Sequence, residues 1–161
     1  MDKLNPTGTG SFSLGRRLGS TIGPNSVAMG NNVTASGNSS FAEGYSTKAT
    51  SYYAHAEGCG TQAANQSAHS EGENTTASGY CQHVQGKYNI SDQTFAHIVG
   101  NGTDTDSLSN AHTLDWDGNA WFAGDVYIGS TSGTKKDDGS KKLATEDYVI
   151  SQIGSFLNSS S

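Results

Sequence analysis

Along residues 23–90 small and large side chains alternate, and the alternation resets every 14 residues. Gly30, Gly44, Gly58, Gly72 and Gly86 mark the period. Two places before each glycine stand Ala28, Ala42, Ala56, Ser70 and Val84. Three places before stand Val27, Phe41, His55, His69 and His83, and one place before stand Met29, Glu43, Glu57, Glu71 and Gln85. Halfway through the period come Ala35, Ala49, Ala63 and Ala77, and Gly23, Gly37 and Gly79 each lie seven residues from a main glycine. A fixed period with small residues at fixed phases marks a solenoid, in which one repeat makes one coil. Each unit reads as two short strands and two turns, with glycines at corners or close approaches. A helix would need apolar residues at three- and four-residue spacing, which this stretch lacks.

Side chains alternate faces along a strand. The alanine columns (Ala28, Ala42, Ala56; Ala35, Ala49, Ala63, Ala77) are therefore expected inside a narrow coil. Val27, Met29, Phe41, His55, Glu57, His69, Glu71 and His83 have the opposite parity and are expected to face sister chains. In that arrangement Val27, Met29 and Phe41 close one end of an interface, and levels of His and Glu follow. Neutral histidines there would charge near their reference pKa of about 6.5 and loosen the assembly in acid.

The rest of the chain divides around the solenoid. Residues 1–22 form a Gly/Ser/Thr-rich opening segment, in which Ser11-Phe12-Ser13-Leu14-Gly15 is a degenerate repeat. Residues 91–130 carry larger apolar side chains and a hairpin signal, Asp117-Gly118. A two-residue loop there pairs Trp116 with Asn119 and Leu114 with Trp121, so that Leu114, Trp116 and Trp121 share one face and need a cover, for which a sister chain is the natural candidate; Trp116 and Trp121 are thus expected at the trimer interface. Residues 125–129 read as another short strand and residues 131–142 as a polar linker. Residues 143–161 read as a short helix and tail. Thr145 is a candidate N-cap, and Val149, Ile153 and Phe156 form a coiled-coil seam too short to be helical alone.

Composition changes the picture in one respect. Leu, Ile, Val and Phe supply only 24 of 161 residues, too few for an ordinary globular core. The regular repeat and a net charge of only −6 argue against disorder. Backbone ladders and covering chains must then carry the structure, so an obligate oligomer is expected. Nine Lys plus Arg in a mildly acidic chain argue against a nucleic-acid partner. There is no long apolar run and no signal-peptide pattern, so no membrane insertion is expected. Cys59 and Cys81 fall in different columns and read as free thiols.

Several constellations invite sharper chemistry. Three imidazoles beside Glu57 or Glu71 could hold a metal, but a hydrogen-bonded polar ladder is the simpler reading, and no metal or cofactor is expected. Residues 115–119 have some calcium-loop character, yet position 126 is Val where that loop needs a bidentate acid. Asp104 and Asp106 read as loop solvation. Ser107 or Ser109 with His97 or His112 could be cast as nucleophile and base, but no catalytic residue is assigned.

The columns Ser26-Val27-Ala28-Met29-Gly30, Ser40-Phe41-Ala42-Glu43-Gly44, Ala54-His55-Ala56-Glu57-Gly58 and Ala68-His69-Ser70-Glu71-Gly72 resemble the head repeats of trimeric autotransporter adhesins. The variant is the Ser-His-Ala-Glu-Gly one found in phage and prophage tail proteins. Thr34-Ala35-Ser36-Gly37 and Thr76-Ala77-Ser78-Gly79 fit between those columns, and the likeness covers roughly residues 11–90. Residues 96–102 and 110–121 resemble a segment downstream of such repeats in tail fibres, and residues 142–149 resemble the stretch that closes those modules. The resemblance implies a mainly β chain folded as a left-handed parallel β-roll in a homotrimer, followed by a small hairpin module and a short C-terminal helix. It further implies a structural or receptor-binding virion piece, without enzymatic activity, that meets other tail or baseplate proteins and a host-surface polysaccharide or protein. The alternative is an adhesin head fragment on a bacterial surface; a weaker alternative is a self-cleaving tail-fibre endopeptidase segment. The expected receptor site lies at the opening segment or on residues 91–130.

Overall fold

The computed structural model of the chain describes residues 8–16, 22–128 and 141–142. The described residues contain strands and turns only, wound as a parallel β-solenoid of about six turns. Each full coil contributes one long and one short strand. The long strands are β1 (Phe12–Arg16), β2 (Val27–Asn31), β4 (Phe41–Tyr45), β6 (His55–Cys59), β8 (His69–Glu73) and β10 (His83–Lys87). They stack in parallel, and β11 (Phe95–Asn101) continues the stack. The short strands β3 (Thr34–Ala35), β5 (Lys48–Ala49), β7 (Gln62–Ala63) and β9 (Thr76–Ala77) form the second sheet. Register follows the 14-residue period, so Ala28, Ala42, Ala56 and Ser70 are direct neighbours across strands.

The alanine columns lie inside, as parity requires: Ala28, Ala42, Ala56, Ala35, Ala49, Ala63 and Ala77 are all buried. Two further interior columns complete the core. One is Ser26, Ser40, Ala54, Ala68 and Gln82; the other is Val33, Thr47, Thr61, Thr75 and Asn89. Some polar atoms inside so thin a coil find local partners, while Thr47 Oγ1 and Thr61 Oγ1 have none. Ser26 Oγ donates to the Gly37 carbonyl at 2.5 Å, and Thr75 Oγ1 lies 2.9 Å from Ser70 Oγ.

The corners are not built mainly from glycine. The recurring left-handed positions are Asn25, Ser39, Tyr53, Ser67 and Cys81 on one side and Asn32, Ser46, Gly60, Asn74 and Tyr88 on the other. The main glycine column lies within the long strands instead. At Gly44, φ is 108°, and an added Cβ would fall on the backbone of Gly58.

Two amides close the C-terminal end of the coils. Asn89 Oδ1 accepts from Thr76 N at 2.8 Å and its Nδ2 donates to Thr76 O at 3.2 Å, standing in for the next strand of the short sheet. Gln82 Oε1 accepts from Ser78 N and Gly79 N, while its Nε2 donates to the carbonyls of Asp92 and Phe95. An edge satisfied this way offers no ladder to another chain.

Beyond the coils, β12 (Asn110–Asp115) pairs antiparallel with β11, and β13 (Ala120–Phe122) pairs with β12. This hairpin corrects the expected register. Trp121 faces Thr113 rather than Leu114, and Asp115 N donates to Asn119 O, leaving the three-residue loop 116–118. The reason is the Asp115 carboxylate, which accepts from Asp117 N at 3.0 Å, Asn119 N at 2.8 Å and Asn119 Nδ2 at 2.9 Å. Gly118, at φ 89°, takes the left-handed position that such a loop requires. Trp116 therefore belongs to the loop, and the shared face of Leu114, Trp116 and Trp121 does not form.

The described residues from Gly124 onward belong to a separate unit. In it, β14 (Tyr127–Ile128) pairs antiparallel with β15 (Lys141–Lys142), so the last two residues of the expected linker are in a strand. The expected helix, with Thr145, Val149, Ile153 and Phe156, lies outside the described residues.

Candidate interface: a ladder of rings beside a carboxylate groove

On the outer face of the long sheet, opposite the alanines, two side-chain columns run from coil to coil. The first is Phe12, Val27, Phe41, His55, His69, His83 and His97; the second is Leu14, Met29, Glu43, Glu57, Glu71, Gln85 and Val99. The sequence reading anticipated the middle of both. Register forces the rings together, because in-register parallel strands sit about 4.8 Å apart. His55 stacks on His69 with centroids 4.5 Å apart, and His69 on His83 at 4.7 Å, both nearly parallel. Phe41 meets His55 edge-on at 4.9 Å.

The ladder runs further than the repeats. His97 lies 5.2 Å from His83, His112 lies 5.7 Å from His97, and Phe122 lies 4.5 Å from His112. All five histidines of the chain thus form one run of ring contacts with a phenylalanine at each end, although His112 sits in register with Val99 rather than His97. His97 keeps the 14-residue spacing from His83 and was detectable from the sequence. His112 and Phe122 arrive through antiparallel pairing, which no period announces.

The glutamates are interleaved with the imidazoles. Glu57 lies 3.8 Å from His55 Nε2 and 3.9 Å from His69 Nε2, and Glu71 lies 3.5 Å from His83 Nε2. These separations exceed hydrogen-bonding distance. The Nε2 atoms of His55, His69 and His83 are shielded from solvent and have no hydrogen-bond partner. The hydrogen-bonded ladder expected from the sequence is therefore not made within one chain; the rings stack instead. Burial, followed by the neighbouring His55 and His83, lowers the His69 pKa, opposed by Glu71 and Glu57. Burial also lowers that of His97, with His83 and His112 adding to it.

Beside the rings, Glu43, Glu57, Glu71 and Gln85 border a shallow groove of about 490 Å³ floored by Gly44, Gly58, Gly72 and Gly86. Toward the N-terminal coils the trough becomes apolar, lined by Leu14 and Met29. At the other end of the face Phe122 is about half exposed. The face is thus polar in the middle and apolar at both ends.

The other candidates resolve differently. Asp115 is committed to its own loop; Asn119 and then Asp117 and Gly118 hold its pKa low. Asp104 accepts from Asp106 N at 2.9 Å, which lowers its pKa in the same way. Ser107 closes a β-bridge with Asp104, and Ser109 N donates to Tyr88 O. Neither hydroxyl is hydrogen-bonded to His97 or His112, whose rings belong to the ladder. Cys59 and Cys81 are free and exposed.

One edge of the solenoid went unremarked in the sequence. Its turns present Asn38-Ser39, Tyr52-Tyr53, Gln66-Ser67 and Tyr80-Cys81 on successive coils. Tyr52, Tyr53 and Tyr80 are each more than half exposed. Backbone bonds tie the turns together, Tyr53 N to Asn38 O and Ser67 N to Tyr52 O, both 2.9 Å. Tyr53 occupies a left-handed corner where other coils place Asn, Ser or Cys.

The chain matches no family model, no curated protein and no solved structure.

Proposed function

We propose that this chain is a trimeric, non-catalytic module of a phage tail fibre or tail-associated protein, carried on the virion and used for attachment to a host surface. Each protomer would be a left-handed roll, with the ring-and-carboxylate face of three copies turned toward a common axis. The observation that carries this reading is that face itself: half-buried imidazoles without hydrogen-bond partners, between apolar ends that include Leu14, Met29 and Phe122. Groups of this kind gain by being covered, since unpaired buried nitrogen and exposed apolar surface both cost free energy. The likeness of residues 11–90 to phage and adhesin head repeats supplies the number three and the setting.

We assign the host contact to the tyrosine-bearing turn edge, in place of the opening segment or residues 91–130. Tyrosine offers a rigid amphipathic surface at low entropic cost, and hydrogen-bonded turns preorganise it. Native mass spectrometry should give three chain masses, and the purified protein should block adsorption of a phage carrying it to its host. The double variant Tyr52→Ala/Tyr80→Ala should remain trimeric and lose the blocking. A folded monomer would refute the assembly. A trimer that leaves adsorption unchanged would refute the attachment role.

A further inference from the structure

We propose that His69, Glu71 and His83 form a binding site for a divalent transition-metal cation, with Zn²⁺ the best match to the donor set. The proposal stands on the geometry of one protomer and does not depend on the assembly. His69 and Glu71 are two residues apart on β8 and point to the same outer face, and His83 of β10 is the direct neighbour of His69. Their donor atoms, two imidazole nitrogens and one carboxylate oxygen, all lie within 4.8 Å of one another.

The His83–Glu71 spacing fits a cation better than it fits a hydrogen bond, and the other donor pairs, within 4.8 Å, must close on the ion. His83 Nε2 and Glu71 Oε1 are 3.5 Å apart. N–H···O bonds fall at about 2.7–3.2 Å. Two ligands held about 2.0–2.1 Å from a tetrahedral Zn²⁺ are separated by about 3.4 Å. Both Nε2 atoms are shielded from solvent and have no partner, so neither has committed its lone pair or proton elsewhere. Two histidines and one glutamate form a donor set that Zn²⁺ accepts, leaving a fourth position for water. Glu71 also borders the shallow groove, which gives a cation and its water a way in. The related group Glu43, His55 and Glu57 has one imidazole and two carboxylates, a harder set less suited to zinc.

Coordination has a structural cost that can be read out. The His69 and His83 rings are nearly parallel, with 7° between planes. Their in-plane lone pairs therefore run side by side, and one ring must turn about its Cβ–Cγ bond for both to reach the same ion. Metal binding should exchange a ring stack for a pair of metal–nitrogen bonds.

The test uses the full chain, stripped with a chelator and dialysed. Isothermal titration with Zn²⁺ should show one ion bound per chain, and Co²⁺ should give the strong visible absorption of a four-coordinate site. His69→Ala and His83→Ala should each weaken Zn²⁺ binding by about tenfold or more, at least as much as losing an outer-shell partner. The double variant Cys59→Ser/Cys81→Ser should bind as the parent does. Should the alanine variants misfold, His69→Gln and His83→Gln serve in their place. Absence of Zn²⁺ binding by the parent chain would overturn the proposal. Binding that survives both histidine substitutions, or that disappears with the cysteines, would overturn it equally.

Discussion

Replacing Ala56 by Leu tests the face assignment on which the architecture rests. Ala56 has no solvent exposure and lies in register between Ala42 and Ser70 inside the coil. Leucine adds three heavy atoms. If they could be accommodated, burial would gain about 0.8 kcal/mol for each methylene-sized group. The interior offers no such room, because the buried residues surrounding the site belong to stacked coils whose spacing is fixed by backbone ladders. The expected result is overpacking, at about 1–3 kcal/mol. For a chain of this size each kcal/mol moves the midpoint by about 2–4 °C. The midpoint of thermal unfolding should therefore fall by roughly 2–12 °C when followed by far-UV circular dichroism. Ala63→Leu, on the short-strand side, should behave alike, since Ala63 is equally buried. Unchanged midpoints for both variants would refute the assignment of these columns to the interior.

Gly58→Ala should destabilise through the backbone, because the added Cβ falls on Gly72 and φ is 104°; about 1–3 kcal/mol is expected for the strained dihedral alone, measured by urea titration. Gln82→Ala strips partners from two backbone N–H groups and two carbonyls at the end of the coils; a loss of about 1–3 kcal/mol is expected, and an unchanged urea midpoint would show that the cap is dispensable. In chelator-treated protein, stability should decline as pH falls below about 6.5, because the lowered pKa values of His69 and His97 leave the unfolded chain binding more protons there. His97→Gln should flatten that decline, and an equal slope in parent and variant would remove His97 from the cause.

The period alone determined the coil. Equal spacing of Gly, Ala and Glu fixes register in a parallel solenoid, and the parity of a strand then fixes which column is buried. That is why Ala28 to Ala77 and the His55–His83 column were legible without coordinates. The same logic reaches His97, one repeat further on. Beyond it the period ends, and the antiparallel return that brings His112 and Phe122 onto the ring ladder depends on pairing that no spacing encodes. The hairpin register likewise turned on the three hydrogen bonds accepted by Asp115, which outweighed the two-residue preference of Asp117-Gly118. The corners show the same division. Their recurrence is in the sequence, but left-handed backbone at Tyr53, Cys81 and Tyr88 contradicts local preference and is imposed by the stacked turns around them. Tertiary structure alone decided how the imidazoles behave: in-register strands hold the rings at stacking distance and hold the glutamates just beyond hydrogen-bonding reach, leaving three buried nitrogens unpaired.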